Sequence, residues 1–147
     1  RMRPQRSDLV SGQGQTLSET VLGAKTPVDL NDGSIVFSLR YGSFDALFTG
    51  DADTRVESGW RNIQLADDTL EVLKFPHHGS RTGMTEEFVE WLHPKLTVIS
   101  VGKNNYGHPS SESINKLTDV GSRIVRTDKE GDIEVVSDGM EWELLRK

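Results

Sequence analysis

Cysteine is absent from this 147-residue chain, which excludes disulfides and thiolate ligation, so any metal must be held by imidazole nitrogen and carboxylate oxygen. A run of about 18 apolar residues, the length a membrane-spanning helix needs, is also missing. The first residues lack the apolar core of a signal peptide, and the chain by itself reads as soluble. Positive charge is short too, with 17 Lys and Arg against 23 Asp and Glu, a formal charge of −6. Affinity for a polyanion normally rests on a basic face, so broad electrostatic capture of nucleic acid is excluded and only a local basic rim remains open. Arg81 and Lys103 are placed to form such a rim, or are ordinary solvated charges. Histidine is scarce, and its four positions are 77, 78, 93 and 108.

What is present fits one globular α/β domain. Apolar residues make up 34% and charged residues 27%, enough for a modest core but short for two domains. Residues 1–28 are rich in Gly, Ser, Thr and Gln and read as a loosely held segment or an edge extension, with residues 29–147 as the folded body. Within the body, residues 34–41 alternate Ile35, Phe37 and Leu39 against Val36, Ser38 and Arg40. A turn at Gly42-Ser43 then leads to a returning strand over 45–49, the pattern of a hairpin. Residues 52–67, with Val56, Trp60, Ile63 and Leu65, allow a helix. Strands follow over 72–76 and 96–101. A helix is expected after Thr85, which stands as N-cap before Glu86 and Glu87 and ahead of the stripe Phe88, Val89, Trp91 and Leu92; Pro94 ends it. Pro109 with Ser110 and Ser111 opens another helix, through Ile114 and Leu117. Short strands over 123–126, 132–136 and 141–145 close the chain, separated by turn residues at 128–131 and 137–139. This order predicts a mixed sheet with helices on one face. The continuous apolar runs at 72–75 and 96–101 predict that the other face is covered as well, by something beyond these helices.

The chemistry-bearing residues sit at strand ends. Thr49-Gly50-Asp51 closes one strand, His77-His78-Gly79-Ser80 follows a second, and Tyr106-Gly107-His108-Pro109 lies in the loop after a third. Sheets of parallel type gather such ends at one solvent-open edge, the geometry a metal hydrolase requires. Other residues read more plainly. His93, before Pro94, is a surface cap at a helix end. Ser80 caps its turn or contacts a phosphate. Asn31 belongs to a turn before a strand or to the site, and Asn104 and Asn105 are loop residues suited to positive φ.

Taken in order, Asn31-Asp32-Gly33-Ser34-Ile35-Val36, Thr49-Gly50-Asp51, His77-His78-Gly79-Ser80, Tyr106-Gly107-His108-Pro109 and Arg126-Thr127-Asp128-Lys129-Glu130-Gly131-Asp132-Ile133 resemble the metallo-β-lactamase-like domain of ComEC-type competence DNA-channel proteins. The likeness covers about two thirds of the chain. It implies an αββα sandwich of two similar halves, of which this chain resembles the C-terminal one. It also implies two divalent ions, Zn²⁺ or Mn²⁺, and hydrolysis of a phosphodiester in DNA. By the same likeness Asp51 corresponds to the carboxylate that bridges two metals, and His108 to the last metal-binding histidine. His78 corresponds to a ligand or to the proton donor for the leaving oxygen, and His77 to a residue that orients its neighbour. The superfamily's cluster of the type His-x-His-x-Asp-His, or His-x-Asp-x-Asp-His in the ComEC-like branch, does not occur in this chain. The expectation is therefore a half-domain completed by an N-terminal half or a second chain, with an exposed apolar face that favours self-association. Two other functions stay open, a non-catalytic interaction module and a hydrolase of a small ester or lactam.

Overall fold

Glycine at position 42, with φ +61°, lets the chain reverse within two residues, a conformation a side chain would disfavour. The reversal joins β3 (Val36–Tyr41) to β4 (Phe44–Phe48) as an antiparallel hairpin with Tyr41 opposite Phe44. The computed structural model describes residues 9–10, 16–22 and 30–145. On the outer side of the hairpin it adds β2 (Thr16–Leu22), antiparallel to β3, and then β1 (Leu9–Val10). These strands make part of residues 1–28 an extension of the sheet edge. On the inner side β5 (Val72–Lys74), β6 (Leu96–Ile99) and β7 (Arg123–Arg126) run parallel to β4, giving a mixed sheet in the order β1 to β7. Helices α1 (Glu86–Leu92) and α2 (Ser111–Asp119) make the crossovers, and β7 runs into the single turn α3 (Thr127–Glu130). No described helix is long and apolar enough to cross a membrane.

Side-chain caps form at the start of both α1 and α2, the one at Thr85 as expected. Ser110 accepts from the Ser113 amide at 3.1 Å. Thr85 Oγ1 accepts from the Phe88 amide at 3.2 Å and donates to the buried carboxylate of Glu57 at 2.6 Å, while the Thr85 amide donates to the other Glu57 oxygen at 2.8 Å. One orphan amide at a helix start and the hydroxyl of the same residue thus satisfy a carboxylate that burial would otherwise penalise. Replacing Thr85 with Ala removes the cap and one of Glu57's two bonds, and is expected to destabilise the fold by about 2 kcal/mol, read as a lower urea midpoint.

The pleat sends alternate residues to two cores. Leu47, Leu73 and Ile99 join Phe88, Val89, Leu92 and Leu117 of the helices in one. Ala46, Val72, Leu96 and Val125 face the other way. That second face was expected to be covered from outside the chain, and part of its cover is the chain's own. Strands β8 (Glu134–Ser137) and β9 (Trp142–Leu145) form a separate hairpin that lays Ile133, Val135, Trp142 and Leu144 on it. Beside the hairpin an apolar groove of about 400 Å³ remains, with Leu39, Tyr41, Phe44 and Phe48 in its wall.

Three sequence expectations are corrected. Residues 52–67 hold only a 3₁₀ turn at Glu57–Gly59. Val56, Trp60, Ile63 and Leu65 do reach the core, but Gly59 is a poor helix former and tertiary bonds replace helical ones: the Ala66 amide donates to Asp45 and the Gln64 carbonyl accepts from Arg40. The strand expected from residue 34 begins at Val36, which is buried, and Ile35 ahead of it is 70% exposed. Within β3 the alternation holds, with Phe37 stacked on Phe48 and Leu39 in the wall of the apolar groove. Residues 128–131 fall in and after the helical turn α3 rather than forming a plain reverse turn.

Candidate functional site

Because β4, β5 and β6 are parallel neighbours, their carboxyl ends open on one edge. Each strand delivers one of the three motifs there.

Beyond β4 the Thr49-Gly50-Asp51 corner is tied on every side. Thr49 Oγ1 donates to the Lys74 carbonyl at 2.7 Å, and the Gly50 carbonyl accepts from Lys74 Nζ at 2.9 Å and the His77 amide at 3.2 Å. The Asp51 amide donates to Ser34 Oγ at 3.1 Å. Gly50 has φ +55°, and a Cβ there would stand 2.9 Å from the Cβ of Ser34. Glycine is therefore needed both for the backbone and for the close approach of the residue 31–34 turn. Burial lowers the Lys74 ammonium's pKa from its ordinary value, and the neighbouring Asp51 carboxylate opposes that shift.

After β5 the chain makes a turn in which His77 and His78 both adopt left-handed conformations, with φ +47° and +53°. For residues with a Cβ this costs on the order of 1 kcal/mol each, a strain that persists only where surrounding bonds hold it. Here the Gly79 carbonyl accepts from the Ser110 amide at 2.9 Å, and His78 Nδ1 lies 2.7 Å from the Ser100 carbonyl oxygen. A carbonyl only accepts, so Nδ1 carries the proton and Nε2 of the neutral ring keeps a lone pair. That Nε2 stands 3.5 Å from Asp51 Oδ1, in a pair whose side chains are 47% and 41% exposed.

The loop after β6 brings His108 to the same place. Its ring centroid is 5.7 Å from that of His77, which in turn is 6.4 Å from that of His78. Burial pushes the His108 pKa below its ordinary value, and His77 and His78 push it the same way. His108 is thereby kept neutral to lower pH, the form in which an imidazole binds metal or accepts a proton. The Nδ1 atoms of His77 and His108 are buried and make no hydrogen bond with the described residues.

Asp51, His77, His78 and His108 thus gather, as the motifs predicted. Ser80 is buried and its hydroxyl closes the turn with Thr82, accepting from the Thr82 amide at 3.3 Å. Asn31 lies in the turn that carries Ser34 to Asp51, its carbonyl accepting from the Ser34 amide at 3.0 Å. Arg81 lies 3.9 Å from Glu112 at the surface, and Lys103 is exposed. His93 is exposed and caps the end of α1 in the left-handed conformation, as expected. Positive φ at Asn104 or Asn105 does not occur; Asn104 has another task. Its Oδ1 accepts from the Tyr106 and His108 amides, both at 3.1 Å, and its Nδ2 donates to the Gly102 and His108 carbonyls, both at 2.9 Å. Sequence reasoning missed this cinch and the Ser34 contact, although an Asn two and four residues ahead of amides it can bond is a readable signal. Asn104→Ala is expected to loosen His108 and cut any metal affinity of the site by about 10- to 100-fold with little change in urea midpoint.

The donor chemistry, imidazole nitrogen with a carboxylate oxygen and one ring oriented through its far nitrogen by a carbonyl, suits a divalent metal. Its number falls short: among the described residues no group of three or more His, Asp or Glu side chains is arranged to hold an ion by itself.

A mixed α/β sheet with imidazoles and a carboxylate at the carboxyl edge of its parallel strands is the class of structure these features define. No family model matches the chain. Over 112 residues, 76% of its length, it is 36% identical to ComE operon protein 3 of Bacillus subtilis, and over 108 residues, 73%, it is 32% identical to competence protein ComA of Neisseria gonorrhoeae. It is also 29% identical over 109 residues, 71% of the chain, to recombination protein 2 of Haemophilus influenzae. Its homologues are competence proteins, which bears out the competence side of the motif resemblance. The matches cover 14%, 16% and 13% of those relatives, so the chain spans only about a seventh of their length.

Proposed function

We propose that this chain serves a competence protein in DNA uptake, as the C-terminal half of a metallo-β-lactamase-type αββα sandwich that hydrolyses phosphodiesters in DNA. The observation that carries the reading is the His78 ring, fixed through Nδ1 by the Ser100 carbonyl with Nε2 toward Asp51, beside His77 and His108. Homology to competence proteins supports the DNA context. Asp51, His78 and His108 would hold divalent ions, Zn²⁺ or Mn²⁺, together with ligands from a preceding half-domain or a second chain. When bound, such ions lower the pKa of a water and offset charge on the phosphoryl oxygens. Asp51 offers a carboxylate able to span two cations. His78 either completes the ligand set through Nε2 or, when Nε2 is also protonated, gives that proton to the leaving oxygen, and His77 orients its neighbours. The apolar groove on the second sheet face is where the other half's sheet would lie, and its exposure in this chain favours self-association.

A second reading, a non-catalytic interaction module, is favoured by the incomplete ligand set among the described residues. Both readings, and a third as a small-ester or lactam hydrolase, are separated by one assay. A polypeptide carrying this chain with the sequence that precedes it in its parent is expected to cleave single-stranded DNA with added Mn²⁺ or Zn²⁺ and to lose that activity to a chelator. Turnover of a lactam or ester without DNA cleavage supports the third reading, and turnover of neither supports the second.

A further inference from the structure

We propose that the ring of Tyr106 is a stacking platform for a nucleobase, which makes single-stranded nucleic acid the form of substrate this edge accepts. The inference deepens the phosphodiesterase reading and rests on it. Tyr106 is 84% exposed, an unusual position for a large aromatic. It is not loosely placed. The ring lies within 25° of parallel to that of His108, centroids 6.1 Å apart, and the Asn104 side chain bonds the Tyr106 amide and both backbone groups of His108. One amide therefore sets the aromatic face and the site imidazole together. Gly107, between them, has φ +78°, and a Cβ there would meet nothing within 4 Å, so glycine serves the backbone turn that presents the ring.

An exposed aromatic face beside a hydrolytic edge suits a base that is already unstacked. In a duplex the faces are occupied by neighbouring bases, whereas a single strand can lay any base on the ring without sequence preference. Charge points the same way. At −6 the chain has little electrostatic hold on a backbone, with Lys103 the exposed cation of the same loop and Arg81 set beside Glu112. Stacking would then supply affinity that a basic groove supplies elsewhere, and binding should weaken less steeply with salt than for proteins that rely on phosphate contacts.

The test is fluorescence anisotropy with two labelled strands of about 12 nucleotides, one oligothymidylate and one abasic throughout, titrated with the wild-type chain, Tyr106→Ala and Tyr106→Phe. The wild type should prefer the base-bearing strand by about 5- to 150-fold, the range that stacking of one base corresponds to. Tyr106→Phe should keep the preference and Tyr106→Ala should abolish it. Equal or undetectable binding of the two strands by the wild type, or a preference that survives Tyr106→Ala, overturns the proposal. Failure of the hydrolase reading is seen separately, as absence of metal-dependent cleavage of single-stranded DNA and of bis(p-nitrophenyl) phosphate by the polypeptide that also carries the preceding half-domain, while the base preference stands.

Discussion

Asp51→Ala is expected to lower metal-dependent DNA cleavage by more than about 100-fold, since loss of even an outer partner of a metal centre costs up to about that much. Stability should hardly change. The Asp51 side chain is 41% exposed, with His78 Nε2 3.5 Å away, and the half-buried Lys74 ammonium that it favours keeps its bond to the Gly50 carbonyl when the carboxylate is removed. The corner itself is held by the Asp51 amide on Ser34 and by the Gly50 carbonyl, bonds the variant keeps. A thermal midpoint within about 4 °C of wild type, together with lost turnover, is the expected pair of results. Full turnover in the variant removes Asp51 from the mechanism.

Gly79→Ala should do the opposite and damage fold and site together. Gly79 has φ +86°, and a Cβ there would come within 2.4 Å of the Cβ and 2.8 Å of the Cα of Pro109. A left-handed alanine costs roughly 1–2 kcal/mol and forced overpacking roughly 1–3 kcal/mol, so a loss of about 3 kcal/mol in urea unfolding is expected. Pro109 adjoins His108, and the added methyl pushes the β6 loop away from the strained His77-His78 turn. Metal affinity should therefore fall even at denaturant-free conditions where the variant remains folded. A change under about 0.5 kcal/mol, the size of an ordinary surface substitution, would mean that the two loops do not meet as described.

The site was readable wherever a residue type had one dominant physical use. Paired histidines after an apolar strand, a Thr-Gly-Asp corner and a Gly-His-Pro loop placed three strand ends at one edge, Thr85 announced its helix through capping, and Pro109 with Ser110 and Ser111 marked the start of the next. Roles set by distant partners were not readable. Ser34 meets Asp51 across 17 positions, and the Asn104 side chain acts through several loop amides and carbonyls at once. The helix expected over 52–67 failed because Asp45 and Arg40, far back in the chain, take up its backbone groups. The chain's own share of the cover on the second sheet face was missed for a related reason. The strand pattern of β8 and β9 was legible, but nothing local says that a terminal hairpin folds back on the sheet instead of extending it.

Equilibrium dialysis against Mn²⁺ and Zn²⁺ followed by elemental mass spectrometry, on the wild-type chain and on the combined Asp51→Ala, His78→Ala and His108→Ala variant, tests the central claim most directly. Saturable metal on the wild type that the variant loses is the predicted result. Equal metal on both proteins, or none on either once the ligands of a preceding half-domain are present, would contradict a metal-binding role for these three side chains.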